Sequence, residues 1–395
     1  MNLACLYSLT SGQKIDKIDI LEKFYPLDLE KYVLFHPFTK SSKSYGYWQD
    51  VLEILYPILK DSAYSIVQAG LQSEPLLPGC IDLRGKTTVN QCAYLCSKAS
   101  LGLLCDSFIS HLAGHYDIPR VILISNNYKE CVKPYFGTPE KQIILEPDRT
   151  KRKPSFALDE GQNKQINEIR PEKIAKSVCQ LLGLPFNFEY ETVYVGDSYQ
   201  NKMLETVPTS ITNISNLGTD AIIVRMDYEF NETILQHQMQ HCPVIIVTDK
   251  PINLEILKNY RARIKQLIYL ITKDHSVSFA SAVQKLNIPF QMFSYLKNEE
   301  LNKFKLDYLD IAAILPKNAK TKKEIKEICD IPPDQLYYKS CKHTLSNGLI
   351  FSSKAGWLKN QPVNTINQIS PVSPVDCADW DLEMEYFLIM KKKHN

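Results

Sequence analysis

Asp106 and Ser107, with His111 one helical turn further on, are the side chains of this chain whose types and spacing could do chemistry. At the start of a helix such a set could hold an anion. The first helical N–H groups have no partner inside the helix, the peptide dipoles place positive potential there, and a hydroxyl and an imidazole add donors. The same residues have a plainer reading, because Asp and Ser are ordinary helix caps and a histidine in the first turn can do no more than satisfy a backbone carbonyl. The elements around them decide where they sit. Residues 101–105 form an apolar run too short for a helix, Asp106-Ser107 is a polar turn, a short helix carries His111, and residues 120–125 form a second strand. This is the grammar of a parallel α/β unit, in which ligands bind at the carboxyl ends of the strands.

The elements before and after repeat that alternation. A strand is expected over residues 32–36, then a polar loop over 37–46 and a helix over 47–60 with Val51, Leu52, Ile54, Leu55 and Leu59 on its apolar face. Further strands fall at 64–68, 80–83 and 142–145, with a helix over 89–98 capped by Thr87 or Thr88. Pro171-Glu172 opens a helix that ends near Gly183-Leu184-Pro185. Residues 15–29 are read as an extended lead-in packed on this first domain.

Composition sets the outer bounds. The chain has 395 residues, 44% of them hydrophobic and 23% charged, as in a soluble globular protein with room for two domains. A net charge of +2 gives no global case for a nucleic acid or an acidic partner. The 11 cysteines are scattered without close pairing, which suits reduced core thiols in a cytoplasmic protein better than a disulfide framework. No signal peptide is expected at residues 1–10, and no apolar run approaches the roughly 18 to 20 residues that span a bilayer. A Gly-rich phosphate loop is absent.

Asp106-Ser107-x-x-x-His111-Leu112-Ala113, followed by x-Ile118-Pro119-x-Val121 and a strand, resembles the nucleotide-sugar-binding motif of the ADP-heptose:lipopolysaccharide heptosyltransferases, glycosyltransferase family 9. The usual form there is Asp-Ser/Thr-Gly-x-x-His-x-x-Ala before a Gly-x-Pro turn and a strand, so Phe108 stands where the family usually has Gly. The order of parts over residues 32–183 extends the resemblance: Thr39 and Lys43 ahead of Tyr47-Trp48, then Gln68-x-Gly70, then Leu83-x-Gly85-x-Thr87. The resemblance implies a donor diphosphate held by Asp106, Ser107, His111 and Lys43, with Lys40 the neighbouring alternative to Lys43. Thr39, Gly85 and Thr87 would belong to the same donor site. Glu74 is the carboxylate nearest to the family's ribose-holding acid, in a loop that does not match.

In the second half, a strand over residues 192–195 precedes Gly196-Asp197-Ser198 and a helix running to about Val207. Strands at 221–225, 243–247, 266–270 and 288–293 then alternate with helices at 232–240, 254–263 and 276–286, which reads as a second doubly wound domain. Gly196-Asp197 resembles the turn that opens the family's acceptor domain, which would make Asp197 the base that removes the acceptor's hydroxyl proton. The donor-like half comes first here and second in the family, so a circular permutation or an unrelated second domain is implied. Residues 317–326 form a basic cluster, read as a solvated helix start or as a contact to a phosphate backbone. His237 and His241 are spaced i, i+4 on a helix with Cys242 adjacent, but no Glu sits in the HExxH position and no third ligand is evident, so no metal is expected.

The expected architecture is therefore α/β, with two Rossmann-like doubly wound domains facing a cleft in the GT-B manner. The parts are a lead-in (residues 1–31), a donor domain (32–185), an acceptor domain (186–315) and a small β-rich C-terminal appendage (316–395). The resemblance implies an inverting, metal-independent glycosyltransferase that uses a nucleotide-sugar, needs no cofactor and acts on a glycan or other hydroxyl acceptor. The alternatives are a non-catalytic nucleotide-binding protein on the same scaffold, and a glycosyltransferase acting on modified nucleic-acid bases.

Overall fold

The computed structural model describes residues 1–16, 19–150, 152–161, 164–195, 203–215, 217, 219–316, 336–364 and 387–392. The chain divides into two units, Met1–Thr192 and Val193–His394, and the division falls within one strand, Tyr190–Val195.

Six short apolar runs of the first unit make one wholly parallel sheet. In chain order they are β1 (Tyr32–His36), β2 (Ser65–Gln68), β3 (Ile81–Asp82), β4 (Leu101–Cys105), β5 (Arg120–Leu123) and β6 (Gln142–Leu145). Their order across the sheet is β3-β2-β1-β4-β5-β6, so the strand order reverses between β1 and β4. Every residue of β1, β4 and β5 is buried, which requires cover on both faces. On one face Tyr32, Leu34, Leu104 and Ile122 pack against α3 (Val89–Lys98) and α4 (Phe108–His115). On the other, Phe35 meets Trp48 edge-on at 5.0 Å, and Trp48 opens α2 (Trp48–Asp61), which packs on a later helix, Pro171–Leu182. This half is doubly wound. Ile20, Tyr25, Leu27 and Leu29 of the lead-in pack on the α3/α4 side. Ahead of them α1 (Leu3–Ser11) is capped by the Asn2 side chain and ends at Gly12, a pair of helix signals that the apolar pattern of the sequence does not emphasise.

The second unit is α/β too, with a different winding from the one expected. β8 (Met203–Thr206), β9 (Ile222–Arg225), β10 (Val244–Thr248), β11 (Ile264–Leu270), β12 (Phe290–Ser294) and β13 (Ile314–Pro316) pair side by side in chain order, all parallel; β7 is the strand Tyr190–Val195. Right-handed crossovers taken always in one direction put every helix on one face. Accordingly Leu235, Leu257, Phe279 and Leu301, one from each successive helix, join a single core with Ile222, Val224, Ile246 and Leu267. Ile223 and Ile245, which point the other way, are half-buried. Among the described residues this sheet is therefore singly wound from β8 to β13. Residues 203–206, expected to end a helix, are a strand instead: Glu205, which reads as a helix former, is buried between neighbouring strands beside Arg225.

The sheet continues past β8 with β15 (Lys342–Ser346), parallel to it, and then antiparallel β16 (Leu349–Phe351) and β17 (Pro362–Val363); a short helix, Lys354–Leu358, links the last two. Residues assigned above to a separate appendage are thus integral strands of the second sheet. Leu336–Ser340 (β14) and Phe387–Lys392 (β18) form an antiparallel pair. The basic cluster at 317–326 lies outside the described residues.

Candidate functional site

The reversal between β1 and β4 opens a crevice at the carboxyl ends of the strands, where a doubly wound sheet takes its ligands. The loop that leaves β1 is firmly held. After β1, the Pro37 carbonyl accepts from Trp48 Nε1 and from Cys105 Sγ, each at 2.9 Å. Ser42 is fully buried, donating its N–H to the Leu158 carbonyl at 3.1 Å while its own carbonyl accepts from Ser125 Oγ at 3.0 Å. This anchoring fixes the short turn Ser41–Lys43 and aims Lys43 across the crevice, where its Nζ lies 2.5 Å from Asp106 Oδ2. Lys40 is exposed, its carbonyl accepting from the Lys43 N–H at 2.9 Å.

A cavity of about 350 Å³ has Thr39, Thr87 and Ser107 in its wall; Lys43 and Asp106 are not part of its lining, although Asp106 directly precedes Ser107. Its polar groups are few. Thr39 Oγ1 is buried with no hydrogen-bond partner. Thr87 Oγ1 sits 3.1 Å from Cys92 Sγ, and it is Thr88, not Thr87, that caps α3 through a reciprocal box with Gln91. Gly85 lies behind the wall, its N–H donating to the Gly70 carbonyl at 2.8 Å. His111 is half-buried on α4 outside the cavity lining; burial lowers its basicity and the Asp106 carboxylate opposes that. Asp197 lies outside the described residues.

Two lining residues are unassigned, or nearly so, by the sequence. His36 closes β1 on the same face as Tyr32 and Leu34; it is buried, with Nδ1 3.1 Å from Ser107 Oγ. One polar residue ending an otherwise apolar strand is the available signal. Glu74 packs against Gly70, where φ is +153°, a conformation that favours glycine, and an added Cβ would push the Glu74 carboxylate aside. The Leu71 N–H donates to Glu74 Oε2 at 3.0 Å, and burial raises the carboxyl above its ordinary range. The mouth is apolar: Phe108 is 46% exposed there and meets His36 edge-on with ring centres 6.3 Å apart.

Burial brings the His36 imidazole down to about 4, so it is neutral at neutral pH. The unfolded chain then binds a proton that the folded chain refuses between roughly pH 6.5 and 4, and stability falls as pH drops through that window. The full loss is about 3 kcal/mol. Denaturant unfolding at pH 7.5, 5.5 and 4.5 should show that slope in the native chain and a flatter one in His36→Asn.

Among the described residues, no group of three or more His, Cys, Asp or Glu could hold a metal ion, and no helix is long and apolar enough to cross a membrane.

No protein-family model and no curated protein matches this chain. Solved structures similar to part of it include E. coli ADP-heptose lps heptosyltransferase II, at 18% identity over 40% of this chain and 47% of that one, with a TM-score of 0.32. A glycosyl transferase family 9 protein from Veillonella parvula matches at 18% identity over 39% and 46%, TM-score 0.32. The bacterial iron-containing dodecameric glycosyltransferase TibC from enterotoxigenic E. coli matches at 14% identity over 42% and 49%, TM-score 0.32. The chain is thus similar to about half the length of each of these proteins.

Proposed function

We propose that this chain is a glycosyltransferase that binds a nucleotide-sugar in the crevice between β1 and β4. The observation that carries the reading is the ion pair between Lys43 and the buried Asp106, which directly precedes Ser107, a residue that walls a cavity together with Thr39 and Thr87. Lys43 supplies the positive charge that a diphosphate leaving group needs as its bond to the sugar breaks. Asp106 fixes where that charge sits. The N-terminal end of α4 adds N–H donors, so the reading asks for no metal and no cofactor. In the inverting form of the reaction, Asp197 takes the proton of the acceptor hydroxyl. That oxygen bonds to the anomeric carbon, and the electrons of the broken C–O bond leave with the diphosphate. The proposal includes a permuted order along the chain, with the donor-like half first. The free thiols of the described cysteines support a reducing, cytoplasmic setting.

A thermal-shift screen against ADP-, UDP-, GDP- and CMP-sugars tests the reading, since a ligand at a hundred times its Kd adds about 2.7 kcal/mol of stability. One nucleotide should raise the midpoint, its sugar should be released or transferred on incubation with EDTA present, and Asp197→Asn should abolish turnover while leaving binding intact. No shift with any of the four sinks the reading. Phe108 favours a second one: at the position where the motif usually carries Gly, its ring stands exposed at the mouth of the cavity. Binding without turnover, in the native chain and in Phe108→Gly alike, would make the protein a nucleotide-binding module.

A further inference from the structure

Ser107 occupies the N-cap position of α4 with extended backbone, yet its side chain makes no capping hydrogen bond. A serine there normally turns its Oγ inward to accept from the second or third N–H of the helix, which is worth about 1 kcal/mol. Here the hydroxyl is held 3.1 Å from His36 Nδ1 instead. His36 is buried, it ends a strand on the face that α4 covers, and the ring of Phe108 sits edge-on to it, so its position is fixed from several sides. The Ser110 N–H returns to the Ser107 carbonyl at 3.1 Å, whereas those of Phe108 and Ile109 have no hydrogen-bond partner among the described residues. Ser107, Phe108 and Ile109 all line the cavity. A second group in the same wall is open: Thr39 Oγ1 is buried without a partner.

We propose that His36 is a positioning residue that draws the Ser107 hydroxyl off its own helix, leaving the first-turn N–H groups of α4 free for the diphosphate of the ligand. The inference rests on the reading above. Without His36, the Ser107 hydroxyl swings inward, caps α4 and competes with the phosphate oxygens for the same donors. The helix gains a cap and the site loses an anion cradle. A neutral imidazole suits this role, because it exchanges a hydrogen bond with a hydroxyl and brings no charge of its own to the phosphates.

Four variants of the full chain test the proposal: His36→Leu, His36→Asn, Ser107→Ala and the double variant His36→Leu/Ser107→Ala. Titration calorimetry with ADP, UDP, GDP and CDP, each taken separately, reads affinity, and amide hydrogen exchange at Ile109 and Ser110 reads the cap. His36→Leu should bind the preferred nucleotide about tenfold more weakly and protect the Ile109 or Ser110 amide more strongly. His36→Asn, whose amide can occupy the place of Nδ1, should recover most of the loss. The double variant should bind better than His36→Leu alone, because no hydroxyl is left to fill the donors. Losses that simply multiply in the double variant, or amide protection unchanged in His36→Leu, would overturn the proposal. If no nucleotide binds the native chain, the functional reading fails, and the exchange measurement still decides whether His36 holds the hydroxyl away.

Discussion

Lys43→Met is expected to weaken nucleotide-sugar binding about a hundredfold, the largest effect of any single change near the cavity. Two losses add up in this variant. The ammonium that would face the diphosphate is gone, and Asp106, whose side chain is 7% exposed, is left as an anion without its partner beside the same phosphates. The second loss is separable from the first. Asp106→Asn keeps the size of the side chain and removes its charge, so Lys43→Met/Asp106→Asn should bind several-fold better than Lys43→Met. Calorimetric titration of the three variants checks this. Equal affinities for the single lysine variant and the double variant would show that Asp106 does no more than orient the lysine. Native affinity in Lys43→Met would end the case for this crevice as the diphosphate site.

The largest expected effect on stability lies in the second unit. Arg225→Met should cost about 3–5 kcal/mol, because it strips the cation from a carboxylate that has no access to water. Glu205 is 2% exposed, and its Oε2 accepts from Arg225 Nη1 at 2.7 Å. Its other oxygen accepts from Thr344 Oγ1 at 2.9 Å and Tyr228 OH at 3.2 Å. Burial alone would push this carboxyl up, yet Arg225 and Lys342 hold it below its ordinary range. Arg225 also pairs with Asp227 at 2.7 Å and lies 3.8 Å from the Tyr228 ring centre, so methionine cannot replace its contacts. Urea unfolding of Arg225→Met beside Arg225→Met/Glu205→Gln separates the causes. The double variant should recover a good part of the loss, since a neutral amide is far less costly to bury than an orphaned carboxylate. A single variant within 1 kcal/mol of native would place the cluster in contact with water.

How legible each element is in the sequence varies with its physics. Tyr32–His36, Val89–Lys98, Leu101–Cys105 and Gln142–Leu145 have the bounds that their apolar runs and flanking turn residues announce. The strand-turn-helix pattern places Asp106 at a strand end, and Lys43 is singled out only by the family resemblance; their contact at 2.5 Å depends on the reversal of strand order, which no local pattern carries. The winding of the second sheet departs from expectation for a definable reason. Ile222-Ile223-Val224 and Val244-Ile245-Ile246-Val247 are unbroken apolar runs, the mark of strands covered on both faces, yet Ile223 and Ile245 are only half-covered. Residues 203–206 mislead in the opposite sense, since Glu205 is charged and its cation, Arg225, is twenty positions away in sequence. His36 escapes notice because its value lies in a partner 71 residues distant.

The joining of β15 to β8 bears on the order in which the second unit assembles. Neighbours such as Ser294 and Ile271, hydrogen-bonded across consecutive strands, are 23 residues apart, whereas Thr344 and Glu205 are 139 apart. Closing the longer loop costs about 1.6 kcal/mol more in chain entropy, so the consecutive strands have the advantage in pairing and the distant one docks afterwards. Until it does, β8 is an unpaired edge and the Glu205 carboxylate lacks the Thr344 hydroxyl. A nascent chain therefore carries a carboxylate short of one hydrogen-bond donor on an open strand for as long as residues 342–346 have not arrived.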